Sequence, residues 1–222
     1  MFEKLKDIEN NIRGKLICFE GSDKTGKTSV AKDLCQGFND QGINCTFTFQ
    51  PGDSKYGQIA PMIRSLCLDK RWNLHELTNF FVFFADKVEQ VDKVILPALE
   101  RNEVVITDRW WFSTDAYQFN GKQLRDKYYI TKEIQDWLNL NSVLNVIPDT
   151  TLFFPETLDI TSVDDDKNDQ FETADTEFKT RVNLAYARLA QKNRFIRIKP
   201  GRSVSDTTFK VIEKLYQRYK DV

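Results

Sequence analysis

The sequence predicts an α/β fold, a five-stranded parallel sheet covered by helices on both faces. Three observations lead there. Short apolar runs alternate with stretches of helical period, as strand–helix–strand units require. The pattern GxxxxGK[ST] occurs in full where the first apolar run gives way to the first helical stretch. The residues richest in chemistry follow the C-terminal ends of the apolar runs, at Glu20 to Thr28, Phe49 to Asp53, Asp108 to Gln118 and after Phe154. Open parallel sheets bind ligands at that edge.

The elements follow in order. KLICFE (15–20) reads as a buried strand ending at Gly21. KTSVAKDLCQGF sets Val30, Ala31, Leu34 and Phe38 on one helical side and is closed by Asn39 to Gly42. CTFTF (45–49) is a strand that stops at Pro51 and Gly52. Helices are expected around 57–69 and 74–90, with a third to about 101. EVVIT (103–107), TTLFF (150–154) and RFIRIK (194–199) supply three more strands. Helices at 174–192 and 205–220 complete the pattern. Residues 1–14 read as a short polar arm or helix, and the whole chain, 1–222, as one domain. The acidic stretch DITSVDDDKNDQFE (159–172) has few apolar residues. It reads as a solvated loop, and its position over the sheet edge makes 156–172 a candidate lid.

Composition narrows the function. With 222 residues, 41% apolar and 29% charged, the chain is long enough and apolar enough for a full core. Its net charge of −1 lacks the basic field of a nucleic-acid binder, whereas a small anionic ligand needs only a few cations in one cleft. Cys18, Cys35, Cys45 and Cys67 form no CxxC pair, and His75 is the one histidine. They read as buried reduced thiols, not metal ligands, and His75 as a polar residue opening a helix. Without a secretory segment or a long apolar run, an intracellular, cytoplasmic protein with no membrane partner is expected.

Two motifs carry the chemistry. In Gly21-Ser22-Asp23-Lys24-Thr25-Gly26-Lys27-Thr28, glycines let backbone N–H groups curl round an anion, and the following helix adds its positive end. Lys27 would supply charge to nucleotide β/γ phosphates and Thr28 a hydroxyl to Mg²⁺, with Ser29 the next residue of the nucleotide site. The second motif runs from Asp108 to Gln118, DRWWFSTDAYQ. Asp108 can hold Mg²⁺, Arg109 can grip an anion with its planar fork, and Tyr117 with neighbouring aromatics can flank a flat base. An N-capping aspartate with an arginine partner is the plainer alternative. Glu20 is either an outer Mg²⁺ group or a strand-end carboxylate.

From Lys15 to the C-terminus the sequence resembles the thymidylate kinase family. KLICFEGSDKTGKTS resembles its strand and P-loop, FQPGD (49–53) its second-strand motif, FFADKVEQV (83–91) its base-pocket helix, and DRWWFSTDAYQ its DR(Y/H)xxSSxAYQ signature. IPDTTLFF (147–154) resembles its PDLTIFL strand and DQFE (169–172) the end of its lid. The resemblance implies a P-loop kinase fold with a short lid, and transfer of the ATP γ-phosphoryl group to dTMP with Mg²⁺. It also implies a homodimer, joined through helices near the apolar stripe NFFVFFA (79–85).

Carried over position by position, Lys27 and Thr28 match the ATP-phosphate and Mg²⁺ residues, and Asp23 an acid near the thymidylate sugar and phosphate. Arg109 and Arg64 match acceptor-phosphate arginines, Phe83 the ring stacked on thymine, and Lys87 a base-contacting arginine. Ser113 and Thr114 match polar contacts to the pyrimidine, Tyr117 the tyrosine crowding a ribose 2′-OH, and Gln118 a neighbour of that pocket. The family position suggests adenine contacts near Lys199 to Arg202. The sequence departs where the family writes REPGG: Phe49 replaces the arginine, leaving Lys55 or Arg64 to compensate. Lys87 keeps the charge of an arginine but not its fork.

Lys24 sorts the chain within the family. One class carries its catalytic cation in the P-loop and another carries arginine in the lid. Stretch 156–172 holds no arginine and one lysine, Lys167, so Lys24 is expected to stabilise the migrating phosphoryl group. Alternatives are a broader deoxynucleoside monophosphate kinase, a deoxynucleoside kinase, and a nucleotide-binding regulator without catalysis.

Overall fold

The computed structural model describes residues 2–155 and 169–222. Strands β1 (Leu16–Gly21), β2 (Cys45–Phe49), β3 (Val104–Asp108), β4 (Thr150–Phe154) and β5 (Ile196–Arg197) form one sheet in the order β2-β3-β1-β4-β5. All neighbouring pairs are parallel. The chain leaves central β1 for β2 and β3 on one side, then returns for β4 and β5 on the other. The strand order therefore reverses at β1, and its C-terminal end is where a ligand crevice opens. Phe19 lies level with Asp108 and Gly21 with Phe154, so the P-loop begins beside the second motif.

Every residue of β1 and β3 is buried, as strands covered on both faces require. Alternate side chains feed two cores. Ile17 and Phe19 point to helices α1 (Glu3–Asp7), α2 (Glu9–Ile12), α3 (Lys27–Asp40) and α11 (Val204–Tyr219). Leu16 and Cys18 point to Val91, Ile95, Ala98 and Trp110. The α3 face buries Val30, Ala31, Leu34 and Phe38, at the expected spacing. α4 (Ile59–Leu68) precedes α5 (Glu76–Gln90), which runs through a wide turn at Val91–Ile95 into α6 (Leu96–Glu100). His75 caps α5, its Nδ1 accepting from Leu77 N at 3.3 Å. α10 (Thr176–Lys192) and α11 start at side-chain caps from Asp175 and Ser203.

The structure differs from the sequence reading in three places. Of the two readings of residues 1–14, arm or helix, the structure takes the helix, and it is not merely polar: Leu5, Ile8 and Ile12 are fully buried in the core under α11 and α3. Their spacing of three and four is a helical stripe hidden among charges. The fifth strand is two residues long, not six. Between β3 and β4 lie elements without an apolar period: α7 (Trp111–Thr114), a wide turn at Asp115–Gly121, α8 (Leu124–Lys127) and α9 (Lys132–Ser142). The buried face of α9 is Gln135, Asn139 and Ser142, while Ile134 and Trp137 are exposed. That inverts the usual signal, because α9 docks by hydrogen bonds from Gln135 and Asn139 to buried Asp115.

Most of the candidate lid, 156–168 with Lys167, lies outside the described residues. Its end is fixed by Gln170, whose N donates to Leu68 O at 2.9 Å and whose Nε2 donates to Cys67 O at 2.5 Å. Among the described residues no helix is long and apolar enough to cross a membrane.

Gly21 has φ +146°, and a Cβ there would meet Phe154 O at 2.2 Å. Gly26 has φ +77° with open space around it. Gly21→Ala is therefore expected to cost more than about 3 kcal/mol and to lose the cooperative melt. Gly26→Ala is expected to cost about 1–2 kcal/mol. Thermal unfolding followed by circular dichroism checks the order; equal losses would refute it.

Candidate active site

A cavity of about 520 Å³ opens at the C-terminal edge of the sheet. The P-loop gives it Asp23, Lys24, Lys27 and Thr28; β3 and the turn after it give Asp108, Arg109, Ser113, Thr114, Tyr117 and Gln118. Arg64 comes from α4, Phe83 and Lys87 from α5, and Phe171 with Glu172 from the segment before α10. These include thirteen of the residues expected from sequence. Gly21, Ser22, Thr25, Gly26 and Ser29 are not on the wall; the first four shape the loop behind it. Thr25 Oγ1 donates to Ser22 O at 3.1 Å, and Ser29 is exposed.

The β1–β3 register lets the two motifs interlock. Arg109 Nη1 donates to Gly21 O at 3.3 Å, Ser113 Oγ at 3.1 Å and Tyr186 OH at 3.2 Å. Its Nη2 is ion-paired with Asp23 Oδ1, and its guanidinium lies 5.0 Å from the centre of the Tyr117 ring. Tyr117 OH donates to Asp23 Oδ2 at 2.6 Å. Burial pushes the Asp23 carboxyl up, but the Arg109 and Lys27 charges and the Tyr117 bond outweigh it and hold it at about 2. Burial and the Arg109 charge push the Lys27 ammonium below its usual range, against the pull of Asp108, Asp23 and Glu20. Lys27 Nζ rests on Ser22 O at 3.1 Å.

Glu20 sits at the end of β1 as a hydrogen-bonded carboxylate. Its fully buried oxygens accept from Trp110 N at 2.8 Å, Ser113 N at 3.2 Å, Ser113 Oγ at 2.7 Å and Tyr186 OH at 3.0 Å. Burial raises its pKa against those bonds. Ser113, matched by resemblance to a base contact, thus has its hydroxyl engaged by Glu20 and Arg109. Tyr186 had no motif to announce it. It falls on the apolar stripe of α10 with Val182 and Ala185, and its hydroxyl is visible as functional only once the helix is packed.

Thr28 Oγ1 donates to Asp108 Oδ2, while buried Asp108 Oδ1 has no hydrogen-bond partner among the described residues. A hydroxyl and a carboxylate with an unused oxygen, facing a cation-lined cavity, fit Mg²⁺ brought in with nucleotide phosphates. Among the described residues no group of three or more His, Cys, Asp or Glu is placed to hold a metal by itself.

Across the cavity, Phe49 carries Arg64, whose guanidinium lies 5.7 Å from its ring centre and whose Nη1 donates to Pro51 O at 2.8 Å. Lys55, the other candidate to compensate, is turned away and bonds Phe47 O. Lys32, one turn beyond Thr28, also lines the cavity and was missed, although its helical phase was readable. Phe83, Phe171 and Tyr117 form aromatic walls, with Phe83–Phe171 ring centres 5.8 Å and Tyr117–Phe171 centres 5.3 Å apart. Gln118 and Lys87 lie on the same wall. Gln118 Oε1 is buried with no partner among the described residues. Lys87 Nζ donates to Phe83 O at 3.1 Å, and burial pushes its pKa down to about 8 against the pull of Asp86. Lys24 has φ +61° and its Nζ lies 3.9 Å from Glu172.

The comparisons with known proteins agree with this geometry. The family model described as thymidylate kinase matches residues 19–211. A thymidylate kinase of Nitrosomonas eutropha is 32% identical over 212 residues, covering 92% of this chain and 94% of that protein. One of Nitrosospira multiformis is 34% identical over 188 residues, covering 82% and 85%. The crystal structure of thymidylate kinase from Ehrlichia chaffeensis superposes with a TM-score of 0.68 at 27% identity, over 90% of this chain and 98% of that one. Sequence match, sheet order and the meeting of the two motifs converge, and the chain belongs to the thymidylate kinase family.

Proposed function

We propose that this nucleoside monophosphate kinase transfers the γ-phosphoryl group of ATP to dTMP with Mg²⁺, using Lys24 as its catalytic cation. The observation that carries the reading is the single cavity wall on which Lys24, Lys27, Thr28, Asp108 and Arg109 meet an aromatic slot. The P-loop N–H groups and Lys27 bind the ATP phosphates. Thr28 and Asp108 hold Mg²⁺, which offsets phosphate charge when bound. Arg109 and Arg64 grip the acceptor phosphate. That phosphate is already an anion, so attack needs no general base. The migrating group passes through a loose transition state whose charge sits on its outer oxygens, and a cation fixed beside them accelerates transfer. Phe83 stacks on thymine, with Gln118, Thr114 and Lys87 towards its polar edge. The unused Gln118 oxygen supports that orientation. ATP as co-substrate favours a cytoplasmic site of action.

Lys24→Met is expected to lower kcat by about 10²–10⁴-fold while ATP binding changes by only a few-fold. Coupled ADP release and nucleotide titration check this; an unchanged kcat would remove Lys24 from the mechanism. The same assay with dTMP, dUMP, dGMP, dCMP and thymidine tests the substrate. Turnover confined to dTMP is expected, whereas equal turnover of several deoxynucleotides would favour the broader kinase that Phe49 and Lys87 allow.

Lys87 links stability to pH. Its pKa falls from 10.5 to about 8 on folding. Below pH 8 the folded state bears the full cost of the buried charge. Between 8 and 10.5 the unfolded chain binds more protons, so stability rises with pH across that window. Lys87→Met is expected to stabilise by up to roughly 3 kcal/mol at pH 7, with the gain shrinking towards pH 10 and the KM for dTMP rising. Urea unfolding at the two pH values and acceptor kinetics check it. A gain independent of pH would rule out the buried charge as its cause.

A homodimer is proposed through α5, where Phe81 and Val88 are exposed on one stripe, and neighbouring α9, where Trp137 is exposed. Sedimentation is expected to give a dimer that Phe81→Glu converts to monomer; an unchanged mass would refute this interface.

A further inference from the structure

Cys35 and Cys45 meet across the seam between the P-loop helix α3 and the edge strand β2. Cys35 Sγ donates to Cys45 O at 3.3 Å, and both side chains pack in the same core cluster. They are 10 residues apart. Asn39 clamps the backbone between them: its Oδ1 accepts from Cys45 N at 2.9 Å, and its Nδ2 donates to Cys45 O at 3.2 Å and lies 3.8 Å from Cys35 Sγ. A disulfide needs two cysteines brought close by elements that are themselves fixed, and α3, β2 and the Asn39 bonds hold Cys35 and Cys45 in this way. All four cysteines are free thiols; Cys18 and Cys67 are fully buried, Cys35 is 7% exposed, and Cys45 is half-buried, contrary to the expectation that all would be interior.

We propose that Cys35 and Cys45 form a reversible dithiol–disulfide site, oxidised by a hydroperoxide or a small-molecule disulfide, that cross-links the nucleotide-phosphate helix to β2. The Cys35 thiol is held below its usual range by its contact with Cys45, against burial, with help from Lys55 and Asn39. Cys18 and Cys67 are pushed up by burial. Within the proposed site Cys35 attacks first and Cys45, the more exposed of the two, resolves. With hydrogen peroxide, its thiolate attacks one oxygen, the O–O bond breaks, and hydroxide leaves and takes up the thiol proton as water. Cys45 sulfur then attacks the sulfenic sulfur, the S–O bond breaks, and a second water leaves with the Cys45 proton. Two electrons pass from the two thiols to one peroxide.

The seam leads to the active site. Along α3, Cys35 is followed back towards the P-loop by Lys32 and then Thr28. Along β2, Cys45 is followed by Phe47 and Phe49. Lys32 Nζ lies 5.9 Å from the Phe47 ring centre, and both Lys32 and Phe49 line the cavity. A cross-link at one end of the seam fixes α3 against the strand whose other end faces substrate.

The test treats folded protein with hydrogen peroxide, and separately with oxidised glutathione, then maps peptides without reduction. The expected product is a Cys35–Cys45 linked peptide with the loss of two hydrogens, reversed by dithiothreitol. Cys35→Ser and Cys45→Ser, checked for a normal melt and for activity when reduced, should not form it, and Cys18 and Cys67 should remain unmodified. Oxidation of Cys35 to sulfinic acid without a cross-link would overturn the proposal. So would pairing that involves Cys18 or Cys67, or no reaction before unfolding.

Discussion

The Arg109 guanidinium is the point on which the site depends. The Arg109 side chain is only 15% exposed, and a cation so far removed from water is tolerated only when its donors are satisfied and a counter-charge is close. Here the acceptors come from the P-loop (Gly21 O, Asp23), the turn after β3 (Ser113) and α10 (Tyr186). Satisfying one side chain therefore fixes three segments relative to one another. Arg109 also takes a left-handed backbone, φ +78°, anchored by its N–H to Phe19 O at 2.9 Å. Lys24 has the same kind of backbone. Such conformations cost of order 1 kcal/mol or more each and persist where the surroundings impose them. Nine described non-glycine residues have positive φ, and Lys24 and Arg109 are the two of them that line the cavity.

Buried carboxylates do comparable work nearby. Glu20 gathers the amides and hydroxyls of the 110–113 turn, Asp86 holds Gly52 N and Tyr56 OH, and Asp115 holds α9. Each is removed from water, and each has its burial cost offset by donors from a different segment. The loops at the sheet edge are thus held by polar bonds as well as by apolar packing. That suits phosphoryl transfer, where rate comes from charges already in position when the reaction starts.

The departures from the family pattern acquire a physical sense in the folded chain. Phe49 offers a ring in place of a guanidinium, and Arg64 from α4 lies over that ring. The cavity loses an arginine from β2 but presents another, supported by the aromatic that displaced it. Lys87 is different. Its ammonium is fully desolvated, bonded to Phe83 O and close to the Phe84 ring, so its charge is kept at a cost in stability that a planar, less strongly hydrated arginine would lessen.

The sequence by itself determined the α/β alternation, the phosphate loop and the second motif. These are local: a run of apolar residues covered on both faces, an eight-residue pattern tied to a strand–helix junction, and an Asp-Arg pair at a strand end. It could not determine α9, whose buried face is polar, or the docking of residues 1–14, whose apolar stripe is diluted by charge. Nor could it name the donors that Glu20 meets, find Tyr186, or place Arg64 rather than Lys55 on the cavity wall. Those outcomes depend on which side chains meet across elements far apart in the chain: Glu20 and Tyr186 are 166 residues apart, Arg109 and Asp23 86. Local period reports how a segment folds, but only tertiary packing decides which distant polar atoms must satisfy one another, because the penalty for leaving them unpaired arises only after water has been excluded.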